Sequence, residues 1–318
     1  MDTNILANGL RIIAHSKSVT GDIWEAHFGA AAIAAYFFTE ENKLAVDTVN
    51  CIQLQVEKML VEKSYTTTPY SATQIQMEQA EELILQSLSS VMDDLHWVGH
   101  NVIYTALSLQ AIRELDGWGI ESDIQGICVL IESFKRTIPG RSWLGYSVAE
   151  VKRLMIEASD RFPVITNAQQ LSSFVLNELA SFRTIYRAEA HHDLIGHMLT
   201  FSHALNILFD LGYSSYAQQA MPSLFKLIKA LRATHDLQAD ATIRLNSPID
   251  HLPLVKATRS SWLPLEREYW STDYAPQDWD FGHVFKFPYS FYNHLNRIDV
   301  GMAKAVENFR YIICSESK

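Results

Sequence analysis

Apolar residues recur at helical spacing along most of the chain. Residues 45–63, "AVDTVNCIQLQVEKMLVEK", repeat them every three or four positions, the stripe of an amphipathic helix. Residues 21–41, "GDIWEAHFGAAAIAAYFFTEE", are rich in alanine, the strongest helix former, and apolar on nearly every side. In 66–92 a turn is followed by Ser71 as a candidate cap and a long amphipathic helix. Further helices are expected over 93–115, which Asp116 and Gly117 close, and over 120–137, 147–158, 168–188, 193–211, 215–235, 263–270, 281–297 and 300–313. The stretch 239–257 looks extended, and its prolines predict an irregular loop or hairpin near 239–262. The expected fold is all-α: one domain over 1–318, with antiparallel helical hairpins in a toroid or bundle around a central cavity.

Length and composition narrow the class. The chain has 318 residues, enough to bury a large core without disulfides. Its net charge of −10 argues against nucleic acid and anionic membranes as main partners. A small-molecule substrate is the expected partner, and oligomeric state is not legible. Cys51, Cys128 and Cys314 lie far apart and form no C-x-x-C, as expected of reduced thiols in a cytoplasmic protein. The N-terminal residues lack the apolar run of a signal peptide. The longest apolar run, 28–38, suits a buried helix and is too short to span a bilayer.

One small pattern stands out. Gly99-His100, Gly196-His197 and Gly282-His283 each carry an aromatic residue four positions after the histidine: Tyr104, Phe201 and Phe287. A weaker fourth member, Ala26-His27, lacks both the glycine and the aromatic. Random placement at this composition predicts about half a Gly-His pair. An aspartate precedes each histidine by one or two turns, namely Asp22, Asp94, Asp193 and Asp280. Aspartate is a preferred N-cap, so each histidine is expected near a helix N-terminus, where the helix dipole favours neutral imidazole. Neutral imidazole can ligate a metal, act as a base or donate a hydrogen bond.

The densest polar stretch is 186–208. On one helical wheel Glu189, His192, Asp193, Gly196, Thr200 and His203 share a face, with His197 at its edge. His96 and His100 stand at i, i+4, a spacing that holds a metal from one helix face. The metal-ligand candidates are therefore His27, His100, His192, His197, His203, His283, Glu189 and Asp193, with iron or zinc as the ion. The catalytic candidates are His197, His283, His100 and Lys286, and the substrate-binding candidates are Tyr104, Phe201, Phe287 and Trp97. The loop "IPGRSWLGY" (138–146) carries an arginine to which no role is assigned. No G-x-G-x-x-G after a strand, no Walker A motif and no G-x-S-x-G is present, which speaks against a standard dinucleotide fold.

Four segments, "AHFGAAAIAAYFF", "GHNVIYTALSLQAI", "GHMLTFSHAL" and "FGHVFKF", resemble in order those of the questin oxidase-like family, helical proteins linked to Baeyer–Villiger-type ring oxidation. The last, with Gly282, His283 and Lys286, is the nearest match. The resemblance implies oxygenation of an aromatic or polyketide-like molecule, with NADPH as an external reductant. One histidine would then act as general base, and Lys286 or another histidine would stabilise an oxyanion. Two other readings stay open: a metal-dependent lyase or hydrolase on an α/α toroid, using Glu189 or Asp193, and a non-catalytic helical-repeat binding protein whose histidines only organise helix crossings.

Overall fold

The computed structural model describes residues 1–63, 73–238, 243–298 and 301–313. Thus Ser71 and Cys314, and the first residues of the expected irregular stretch, lie outside the described residues. The rest is all-α, as the periodicity predicts. The helices are α1 (Asn4–Thr20), α2 (Ala26–Glu41), α3 (Val46–Lys63), α4 (Met77–Ser89), α5 (His100–Glu114), α6 (Glu121–Glu132), α7 (Val148–Arg153), α8 (Ala168–Ser181), α9 (Leu194–Asp210), α10 (Ser214–Arg232), α11 (Arg267–Trp270), α12 (His283–Leu295) and α13 (Ala303–Phe309). Helix α1 falls outside every helix expected from the sequence. Strands β1 (Trp143–Leu144) and β2 (Leu245–Asn246) form one short antiparallel pair, Trp143 opposite Asn246. So the expected irregular stretch does contain a paired strand, joined to the 138–146 loop.

Four helices form the interior. Every residue of α2 from Ala26 to Thr39 is buried, as is α9 from Leu194 to Leu208 and α12 from His283 to His294. In α5 only Gln110 breaks the buried run from His100 to Ile112. The cause is visible in the residues: these helices carry almost no charge until their last turn. A helix that is apolar all round must be covered on every side. Outer helices such as α4 and α10 are amphipathic and turn one apolar face inward.

The four inner helices are not sequence neighbours, and they run parallel. Their first turns meet at the histidines described below. Their last turns meet as well: Glu41 accepts from Tyr289 Oη (2.7 Å) and Asn293 Nδ2 (3.2 Å), Gln110 Nε2 donates to Tyr289 Oη (2.8 Å), and Arg297 pairs with Asp210 (2.5 Å). The expected hairpins lie between sequence neighbours, α1 with α2 and α9 with α10, and the parallel inner set is additional to them. The inner set aims four helix N-termini, each with partial positive charge, at one place.

Candidate metal and substrate site

The four histidine segments converge. Ring centroids lie 4.5 Å apart for His27 and His100, 4.9 Å for His100 and His197, 5.0 Å for His197 and His283, and 5.9 Å for His283 and His27. The order around this ring is 27, 100, 197, 283.

The Gly-His-aromatic pattern builds the ring. A Cβ on Gly99 would lie 2.4 Å from the Phe201 ring, and one on Gly196 would lie 2.3 Å from the Phe287 ring. A Cβ on Gly282 would lie 2.5 Å from Ala31 Cβ. Each glycine is thus the recess that receives the residue four places after the next histidine. Tyr104 closes the circle on the segment of His27, where its hydroxyl reaches His27 Nδ1 (2.6 Å) and Ile23 O (3.3 Å). Tyr104, Phe201 and Phe287 are therefore packing residues, all buried behind the histidines. The structure corrects their expected role in substrate contact: of the four substrate-binding candidates, only Trp97 lines the pocket.

Local backbone sets the start of each helix. Before His100, Trp97 and Val98 take φ values of 39° and 51°, and Gly99 takes 96°. Before His283, Asp278 to Phe281 take φ values from 47° to 53°, and Gly282 takes 74°. Left-handed conformations cost a non-glycine residue about 1–2 kcal/mol each. Contacts hold them in place. Trp97 and Val98 N–H donate to Ile138 and Pro139 carbonyls (2.8 Å each), while buried Trp279 donates to Gln55 (3.2 Å) and Asp278 pairs with Lys63 (2.8 Å). The reversal makes each histidine the first residue of its helix. Helix α9 begins differently, after a π-turn over Glu189–Asp193 whose Glu189 and Ala190 N–H groups donate to the Asp250 carboxylate (2.9 Å each). Nowhere does an aspartate side chain cap the helix of its histidine, as the sequence had led us to expect: Gly99 and Gly282 hold the N-cap position, and Asp193 makes no side-chain cap bond.

The hydrogen bonds fix the histidine tautomers. His27 Nδ1 faces Trp24 O (3.0 Å), His100 Nδ1 faces Trp97 O, and His197 Nδ1 faces Asp193 O (2.8 Å). A carbonyl only accepts, so Nδ1 of His100 and His197 carries the hydrogen. At His27 the Tyr104 hydroxyl also meets Nδ1 (2.6 Å), and the same tautomer holds with that hydroxyl donating to Ile23 O (3.3 Å) and accepting from the ring. His283 Nδ1 lies 3.4 Å from Asp193 Oδ1 and 3.6 Å from Asp280 Oδ2, and these acceptors set the same tautomer. All four Nε2 atoms are then lone pairs. Two of them, on His27 and His100, stand 2.9 Å apart, and His283 Nε2 is buried with no partner among the described residues.

Electrostatics disfavour a second proton on His27, His100 and His283. Burial first, then the surrounding cationic groups, push His27 and His100 well below the ordinary histidine pKa. Burial and the neighbouring Lys286 lower His283, against the pull of Asp193. Burial opposes ionisation of Asp193, but His197 and His283 outweigh it and hold the carboxyl below its usual range. Lys286 is buried, not extended to solvent, and burial lowers its amine to about 7. It does not line the pocket. It sits behind the histidines, beside a small, mainly apolar void to which Ile103, Leu107 and Ile207 contribute along with Thr200, His203 and Ser290.

In front of the ring opens a pocket of about 560 Å³. Trp24, Trp97, Val98, Phe281 and Ile249 form its apolar wall, and Glu189, Asp193 and Asp280 carry acid onto the polar side. Such a volume suits a small organic molecule. Two groups have ligand atoms within 4.8 Å of one another: His27, His100 and His197, and Asp193, His197 and His283. The other expected ligands are placed otherwise. His203 bonds Ser290 Oγ (3.1 Å), one turn and more below the ring. His192 lines the pocket with Nδ1 held by Ala188, and Glu189 lines it while paired with Arg141 (2.8 Å). The shared helix face expected over 189–203 is broken by the π-turn at Asp193. His96 does not join His100 either: it bonds Asp93 and Thr137 (3.2 Å each) before the left-handed turn. Trp24, one of the aromatics that flank the histidine segments in the sequence, lines the pocket, as do Phe281, Asp280 and Arg141, to which the sequence assigns no site role.

No protein-family model, curated protein or solved structure matches the chain.

Proposed function

We propose that this protein is an enzyme that holds a transition-metal ion on its histidine ring and oxidises a planar aromatic small molecule in the adjoining pocket. One observation carries the reading: neutral imidazoles, each with Nδ1 tied back to protein, turn Nε2 lone pairs on one another at 2.9 Å. Two lone pairs that close repel unless a cation lies between them, and burial disfavours a proton as that cation. Histidine ligands whose other nitrogen donates to a carbonyl or carboxylate are the usual form of a biological metal site. At metal–nitrogen bonds near 2.0–2.1 Å, right-angled ligands stand about 2.9 Å apart and tetrahedral ones about 3.4 Å. The spacing favours an octahedral ion, and imidazole donors favour iron over magnesium or calcium.

In this reading His27, His100 and His197 hold the ion, with His283 and Asp193 completing or orienting the set. The ion would supply redox and Lewis-acid chemistry. The chain's part is to bind and orient: Trp24, Trp97 and Phe281 flank a flat ring, and Asp193 keeps His197 and His283 in their ligating tautomer. Dioxygen would be the oxidant, one oxygen atom entering the substrate and the other leaving as water with two electrons from an external reductant such as NADPH. A zinc-dependent hydrolase or lyase is the second reading, favoured by the Asp280 and Glu189 carboxylates on the pocket wall, which could serve as a base.

The test is elemental analysis of untagged protein, as purified and after reconstitution with ferrous iron under reductant. About one iron per chain is expected, and loss of it in His197→Ala and His283→Ala variants that keep their helical circular dichroism. Zinc at that stoichiometry, with iron refused, would move the protein to the second reading. Failure to take up either metal would overturn both.

A further inference from the structure

Three carboxylates line the pocket, and two of them are already engaged. Glu189 pairs with Arg141, whose Nε lies 2.8 Å from Glu189 Oε1. Asp193 stands between two histidines, 3.3 Å from His197 Nδ1 and 3.4 Å from His283 Nδ1. Asp280 is different. No lysine or arginine pairs with it among the described residues, and its one ion-pair neighbour is the His283 ring, at 3.6 Å. It belongs to neither group of converging ligand atoms. Its side chain is 56% exposed, so the carboxylate is ionised at neutral pH and open to a ligand.

The left-handed turn before His283 brings this carboxylate to the aromatic part of the pocket. Asp280 and Phe281 follow one another at φ 47° and 53°, and both line the pocket. The Phe281 ring stands edge-on to His27, 5.8 Å between centroids. On the same histidine packs Trp24, at 5.6 Å, and Trp24 meets Trp97 at 4.6 Å with the two planes 89° apart. Aromatic faces attract cations, most of all the face of tryptophan. An unmatched carboxylate does the same, and it repels an acid. An ion on the histidine ring meets its counter-charge in Asp193, which stands among the ligands, and leaves Asp280 to the pocket.

We infer that Asp280 is the specificity-determining residue of the pocket, and that it pairs with a protonated amine on the aromatic substrate. The substrate class is then an aromatic amine that is cationic at neutral pH, not an aromatic acid or a plain hydrocarbon. This rests on the proposed function only in taking the pocket as an aromatic-binding site.

The experiment uses the full-length protein and two probes of equal shape, 2-aminoindane, a cation at neutral pH, and 2-methylindane, with dissociation constants from ligand-observed NMR titration at pH 7. The Asp280→Asn variant keeps the shape of the side chain, and asparagine tolerates the left-handed backbone as aspartate does. Wild-type protein should bind the amine about tenfold more tightly than the hydrocarbon, the range of a half-exposed ion pair together with a cation on an indole face. Asp280→Asn should cut that preference to about threefold or less and leave 2-methylindane binding unchanged, which also shows the variant to be folded. Equal binding of both probes to wild type, or tighter binding of the hydrocarbon, would overturn the assignment of Asp280 and leave the aromatic pocket standing. A preference that stays near tenfold in Asp280→Asn would do the same. Binding of neither probe would overturn the aromatic pocket itself, and the inference with it.

Discussion

Two clusters of buried histidine lie in the same four-helix interior, one above the other. The upper is the ring of His27, His100, His197 and His283. The lower contains His294 and His203. Both are buried, yet the ring and His294 differ in where the second nitrogen goes. His294 spends both: Nδ1 meets Ser172 Oγ (2.9 Å) and Nε2 meets Ser202 Oγ (2.8 Å). Asn206 Nδ2 joins it through the same Ser172 hydroxyl (2.9 Å). Around His294 donors are matched to acceptors, while its neighbours His203 Nε2 and Asn206 Oδ1 are buried with no partner among the described residues. In the upper ring every Nδ1 is matched and the Nε2 atoms meet only one another or no protein group. His294, satisfied on both sides, is architecture. His203 has one open nitrogen but stands away from the ring, and it is the meeting of several open Nε2 atoms at one place that marks the upper histidines as ligands in waiting.

Exchanging the damage between the two clusters tests that contrast most severely. His294→Leu should leave metal binding intact while taking one hydrogen-bond partner from Ser172, Ser202 and Asn206, each of which keeps another, at about 1 kcal/mol apiece. A loss of roughly 2–4 kcal/mol in urea unfolding is expected. His197→Leu should do the opposite in metal-free protein: it removes a lone pair from a crowded ring, so stability should change by less than about 1 kcal/mol while metal uptake disappears. If both variants lose stability alike and neither loses metal, the upper ring is architecture too.

How much of this was legible beforehand follows from the range of the forces involved. The inner helices announce themselves by their nearly charge-free runs, and the Gly-His-aromatic repeat marks the residues that meet. The partner of each glycine is not legible, because Gly99 receives Phe201 and Gly196 receives Phe287 across long stretches of chain. The aromatics therefore looked like pocket residues and proved to be the pegs behind it. Nor do the left-handed turns at 97–99 and 278–282 follow from local preference. Aspartate, tryptophan and phenylalanine disfavour that conformation, and only tertiary contacts impose it. Conflicts of local and global preference concentrate at functional sites, and here two of them place the first histidine of a helix. Helix α1 carries the ordinary helical signal, with Ile5, Leu6, Gly9, Leu10 and Ile13 recurring on its buried side.

The glycine recesses themselves can be ranked. Gly196 lies inside α9 with ordinary helical backbone, so Gly196→Ala meets only the Phe287 ring. About 1–3 kcal/mol of overpacking is expected, offset in part by the better helix propensity of alanine. Gly99→Ala meets the Phe201 ring and also a φ of 96°, so about 2–4 kcal/mol is expected. Trimming the ring separates the two causes. Phe287→Leu should restore most of the stability of Gly196→Ala, measured against the Phe287→Leu single variant. Phe201→Leu should restore Gly99→Ala only in part. Full recovery in both would mean that the left-handed turn before His100 carries no strain.

The smallest effect is a pH slope, and it reports on the lower cluster alone. Burial lowers His294 to about 3 and moves His203 in the same direction. The unfolded chain binds a proton on each near pH 6.5, and the folded protein does not. Above that pH both states are neutral and their difference is flat. Below it the unfolded state holds the extra proton, so stability falls with decreasing pH by about 1.4 kcal/mol per unit for each such histidine until the folded pKa is reached. Other buried histidines add to the slope of the wild type, but the His294→Leu variant lacks this one. Urea unfolding of metal-free protein between pH 7.5 and 5.5 should therefore give a wild-type slope about one proton steeper than that of the variant. Parallel slopes would mean that His294 is protonated in the folded state. A hydroxyl would then be accepting from each of its nitrogens, and the network of Ser172, Ser202 and Asn206 would hold a charge, not a neutral ring.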